Sequence, residues 1–141
     1  MRFPVKNGYT LIELLITMTI LAILASIAIP SYSAYTRAAN RTDATKAMTF
    51  DAQALERCYS QTFTYVGCAG APAGTSATPQ GFYDITIAVP TASSFTLTAV
   101  PIKAPQTGDS DCAAFTLNSA GTQGATNSGG VSNTQACWGS T

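Results

Sequence analysis

The sequence predicts an α+β protein: one long N-terminal helix, then a small antiparallel β-sheet with a loop-rich C-terminal region. Three observations carry this prediction. Residues 9 to 29 form an apolar run with a single charge. From Tyr9 to Val66 there is no glycine, and Pro30 is the only proline. Beyond residue 80, three short segments alternate apolar and polar residues with period two, the signature of half-buried strands.

The apolar run, YTLIELLITMTILAILASIAI, is long enough to cross a hydrocarbon layer of about 30 Å at about 1.5 Å per residue. Its one charge is Glu13, near its start. A soluble buried helix is rarely so uniformly apolar. A secretory signal is a stronger alternative: Arg2 and Lys6 precede the run, and Ser26-Ile27-Ala28 resembles a small-x-small cleavage site. The run, however, exceeds the usual h-region of about 7–15 residues. A carboxylate also opposes membrane entry, by about 2.5–3.5 kcal/mol at mid-span and less near an end. Glu13 therefore needs a positive partner. If the chain is cut between Gly8 and Tyr9, a new α-amine appears about 6 Å from Glu13 along the helix. The same amine on a neighbouring helix, offset by a few ångströms, could pair with Glu13 inside the apolar layer. Glu13 then fixes the register between identical helices, as a polar residue does in a coiled coil.

A short basic leader ending in Gly8, followed by Tyr9-Thr10-Leu11-Ile12-Glu13-Leu14-Leu15 and a span, resembles the N-terminal signature of type IV pilins and their pseudopilin relatives. Most members begin the mature chain with phenylalanine; here Tyr9 keeps the aromatic ring. The resemblance implies a pilin fold. It implies cleavage after Gly8 by a prepilin peptidase, N-methylation of Tyr9, and a single-pass stage in the bacterial inner membrane. It further implies extraction by the inner-membrane assembly machinery into an extracellular filament of pilin subunits, where roles in adhesion, twitching motility or pilus biogenesis are open. The domain organisation that follows is a leader at 1–8, a transmembrane and filament-core helix at 9–30, an amphipathic half-helix at 31–60 and a globular head at 61–141.

The helix is expected to run to about Tyr59. Pro30 removes a backbone donor and is expected to kink the helix locally; pilins commonly carry a proline there. After it, Ala44, Met48, Ala52, Leu55 and Tyr59 recur at three- and four-residue spacing, a narrow stripe that should bury against the head. Arg37, Arg41, Asp43, Lys46, Asp51, Glu56 and Arg57 fill much of the remaining surface and are expected to be solvated.

In the head, Tyr83–Val89 places Tyr83, Ile85, Ile87 and Val89 on one face. Phe95–Ala99 aligns Phe95, Leu97 and Ala99, and Ala113–Leu117 aligns Phe115 and Leu117. Short connections suit an antiparallel meander. So small a sheet buries little apolar area and is marginal alone. Cys58, Cys68, Cys112 and Cys137 show no Cys-x-x-Cys spacing, and histidine is absent, so a zinc site is not expected. An even count indicates two disulfides in an oxidising compartment, which puts the head outside the cytoplasm. The positive-inside count does not decide this by itself, because Arg37, Arg41 and Lys46 follow the span. Of three pairings, Cys58–Cys68 with Cys112–Cys137 is favoured. The second resembles the disulfide-bounded C-terminal loop common in pilins. Residues 69–81 and 120–135 are uncharged, small and polar, and read as surface loops.

No catalytic constellation, phosphate-binding loop or cofactor signature is present, so no enzyme and no cofactor are expected. Asp109 and Asp111 form a solvated turn or, less readily, part of a calcium site; calcium takes six or more oxygens. Residues 58–141 carry one basic residue, Lys103, against Asp84, Asp109 and Asp111. Nucleic acid is therefore not expected as a partner. The stretch from Leu117 to Thr122 and the later Cys137-Trp138 resemble minor pilins more than the commonest major subunits. The sequence thus reads as a minor pilin. The alternatives are a pseudopilin of a type II secretion system, a DNA-uptake pilin, and an exported domain cut after Ala28.

Overall fold

A computed structural model describes residues 9–68 and 75–139. Helix α1 spans Leu11–Thr62 without interruption at Pro30. Thr10 starts it: its hydroxyl accepts the Glu13 N–H at 3.2 Å, satisfying a donor that has no partner within the first helical turn. The helix ends about one turn later than Tyr59. Phe63 follows it in the left-handed conformation, φ 56°, and its N–H donates to the Tyr59 carbonyl at 2.7 Å.

The chain falls into two compact units that divide between Tyr35 and Thr36. In the first, the large side chains from Leu11 to Tyr35 are all exposed. The second has its own core. Its sheet holds five antiparallel strands in sequential order: β1 (Thr75–Ala77), β2 (Tyr83–Thr91), β3 (Ser94–Pro101), β4 (Ala114–Asn118) and β5 (Gln123–Thr126). A short helix, α2, closes it at Thr134–Trp138.

The strand register explains the core. Ile85 pairs with Ala99, Ala99 with Phe115, and Phe115 with Ala125. Small and large side chains thus alternate across four strands on the buried face, which lets them interdigitate. Ala44, Met48 and Leu55 of α1 lie in the same core cluster, with Ala52 and Tyr59 packed against it. The expected stripe is therefore the buried face of the helix.

Two strands depart from the sequence reading. Thr75–Ala77 and Gln123–Thr126 lie in stretches read as surface loops, yet both pair with sheet strands. Their residues are small and polar, so no apolar alternation marks them; hydrogen bonding to an existing neighbour defines them. A Cβ at Gly124 would come 2.5 Å from the Thr116 hydroxyl on the paired strand, so a larger residue there would force that side chain to shift. The Trp138 indole N–H donates to the Gly124 carbonyl at 2.8 Å and fixes α2 on β5.

Candidate functional site

The assembly residues singled out from the sequence lie at the start of the chain. Gly8, the residue before the expected cut, lies outside the described residues. Tyr9 is 83% exposed and precedes α1. Glu13 stands in the first turn of α1, exposed, with no ion-pair partner among the described residues. Thr10 and Glu13 also have the Thr-x-x-Glu spacing of a capping box. This second use of Glu13 was visible in the sequence. A carboxylate there favours the helix N-terminus by roughly 0.3–1 kcal/mol, yet its oxygens stay available to a neighbour. Around the helix, Leu11, Ile12, Leu15, Ile16, Ile20, Leu24 and Ile27 are each more than half exposed. Thr17, Thr19 and Ser26 turn their hydroxyls back to helix carbonyls at 2.7–2.9 Å, so they expose little unsatisfied polarity.

The second unit holds a charged site that the sequence reading placed wrongly. Asp109 was expected to be solvated or to help hold calcium. It is buried, and Arg41 grips it with two parallel hydrogen bonds, Nε to Oδ2 at 2.7 Å and Nη2 to Oδ1 at 2.8 Å. The Arg41 Nη1 donates to the Ala136 carbonyl at 3.3 Å, and exposed Asp111 lies 3.7 Å from Nη2. One guanidinium thus ties the helix to the segment before β4 and to α2. Its pKa is raised, chiefly by the hydrogen bond with Asp109 and despite the opposing effect of burial. Asp43, also expected on a solvated face, is buried as well. It accepts hydrogen bonds from the Thr78 hydroxyl and from the Gln80 N–H. Asp43 and Arg41 look like surface residues in sequence because their partners lie 35 and 68 residues away.

The cysteines join as Cys58–Cys68 and Cys112–Cys137, with S–S distances of 2.01 and 2.06 Å. The first links the last turns of α1 to the following loop. The second closes a segment that contains β4, β5 and most of α2, which is more ordered than the loop expected there. Tyr65 stacks on Tyr59 and donates its hydroxyl proton to Glu56 at 2.8 Å. Burial first, and that hydrogen bond second, push its phenol up to about 12.

The surface offers open grooves. A groove of about 550 Å³ runs between α1 and the sheet, with Ala52, Phe95 and Leu117 among its walls. Among the described residues, no group of three acidic or cysteine side chains could hold a metal ion.

Two family profiles match the chain in succession. A profile described as the prokaryotic N-terminal methylation motif matches residues 4–29. A profile described as type IV minor pilin ComP, DNA uptake sequence receptor, matches residues 30–116, more than half of the chain. No curated protein matches the chain.

Proposed function

Since the chain belongs to the type IV minor pilin family, and is a structural subunit of a type IV pilus, we propose the route by which it enters the filament. A prepilin peptidase cuts after Gly8 and the new Tyr9 amine is methylated. The subunit waits in the inner membrane with residues 9–30 as its single span and its disulfide-bonded head on the oxidising side. The assembly machinery then draws it into the pilus, where the exposed apolar helix packs on the helices of other pilins. Glu13 pairs with the Tyr9 amine of a neighbour and sets the axial offset.

The observation that carries this reading is the contrast in burial. The 18-residue window that best fits a membrane span has no part buried within the protein, whereas the head buries its own core. So much unsatisfied apolar surface requires lipid before assembly and other helices after it. Co-expression with a prepilin peptidase tests the first step. The chain should lose residues 1–8, and Gly8→Ser should keep them. Equal processing of both chains would contradict the route.

A second reading follows from the matched family, a minor pilin described as a DNA uptake sequence receptor: this subunit contacts DNA during uptake. The head's charge sets the form that such contact takes. Residues 36–141 hold five basic side chains (Arg37, Arg41, Lys46, Arg57, Lys103) against six acidic ones. Arg41 is already engaged by Asp109. Few phosphates can then be neutralised, so affinity should fall only shallowly with salt. A slope corresponding to about six or more neutralised phosphates would contradict this picture.

A further inference from the structure

We propose that Tyr32 and Tyr35 bind the lipid headgroup layer and set the depth at which the subunit sits in the membrane before assembly. The inference rests on reading residues 9–30 as the span and adds a partner for the residues just beyond it. Both tyrosines are strongly exposed on α1, 71% for Tyr32 and 73% for Tyr35. Three residues apart, they project from neighbouring positions on one side of the helix. At about 1.5 Å per residue, Tyr32 lies roughly 34 Å along the helix from Tyr9. The hydrocarbon core is about 30 Å thick. When the Tyr9 ring sits at one boundary, the Tyr32 ring therefore reaches the other, and Tyr35 stands one turn further into the headgroups.

The chemistry suits that location. A tyrosine ring is apolar along its body and polar at its tip, so it is most stable where hydrocarbon meets water. Between the two ends, every large apolar side chain from Leu11 to Ile29 is aliphatic or methionine. The aromatic residues of this unit thus occur only at its margins among the described residues. Fixing the outer margin also fixes Glu13, about 6 Å inside the level of Tyr9. Neighbouring subunits held at one depth present all their carboxylates at one level and all their amines at another about 6 Å away, so an axial shift of that size on assembly brings the two into line.

The test uses the full chain in vesicles of phosphatidylethanolamine and phosphatidylglycerol. Tyr32→Trp and Tyr35→Trp are each compared with the parent, whose Trp138 supplies the baseline. The added fluorescence should be quenched most by lipids brominated near the headgroup. Strongest quenching by bromine at the chain ends, or quenching only by aqueous acrylamide, would overturn the placement. Depth-setting is read separately with Ile20→Trp, near the middle of the run. Its chain-end to headgroup quenching ratio should fall by about twofold or more when Tyr32 and Tyr35 are both changed to alanine. An unchanged ratio would mean that the tyrosines do not set the depth. Lack of any lipid quenching of the Ile20→Trp probe would instead reject the span.

Discussion

Two regions of this chain obey opposite rules. In residues 9–35 the large apolar side chains face outward, and Thr17, Thr19 and Ser26 turn their hydroxyls back to their own helix. Among the described residues from 36 to 139, a core of apolar side chains packs together, and polar residues far apart in sequence bond across it. Both regions include part of α1, so helical structure alone does not explain the difference. On the proposed route the difference is the partner: lipid or another subunit for the first, the chain itself for the second. Substitutions should separate accordingly. Changes in the first should alter assembly without altering stability, and changes in the second should alter stability first.

The largest expected effect lies in the first region. On the proposed route, Glu13→Ala removes the acidic partner of the Tyr9 amine. Entry into filaments should fall on the order of tenfold, given the cost of an unpaired charge in an apolar layer, while membrane insertion and head melting stay unchanged. Normal filament incorporation, measured by immunoblot of sheared pili, would remove the register role of Glu13.

The next effects belong to the head. Each disulfide closes a loop and stabilises by about 3 kcal/mol in the chain-entropy model. Reduction should lower the melting temperature sharply, and an unaltered profile would show that the core suffices alone. Arg41→Ala leaves Asp109 buried without its cation and should cost about 3 kcal/mol. Adding Asp109→Ala should restore part of that loss. A double variant less stable than the single one would contradict the pairing as the cause.

A smaller effect is confined to alkaline pH. The folded head raises the Tyr65 phenol from its ordinary 10 to about 12, so the folded state holds that proton more tightly than the unfolded state. Its contribution is fully present below pH 10 and is lost as pH rises through about 12. Tyr65→Phe should remove this dependence from urea titrations, whereas an identical alkaline decline in that variant would assign it elsewhere. The smallest effect is a gain. Phe63 occupies a left-handed position that glycine fills without steric cost. Phe63→Gly should raise stability by about 1 kcal/mol; a loss of stability would show that the exposed ring contributes to folding.

The same contrast explains what could be read from sequence. The first region is legible because its signals are local: an apolar run, one acid, a glycine before an aromatic residue. The buried stripe at Ala44, Met48 and Leu55 and the three alternating strands are equally local and lie in the structure as read. The edge strands β1 and β5 were not legible, because Thr75-Ser76-Ala77 and Gln123-Gly124-Ala125-Thr126 carry no apolar period. Arg41 and Asp43 were misplaced for a related reason. A charge on a helix reads as solvated until its distant partner is known. Charge composition likewise gave no pointer to the DNA-uptake description of the matched family, since the head is slightly acidic.

The most direct test of the two-region account is intact-mass spectrometry of sheared surface filaments, with and without reduction. The account predicts a chain that begins at methylated Tyr9 and gains four hydrogens on reduction, two from each of the two disulfides. A chain that begins at Ile29, or its absence from the filaments, would contradict it.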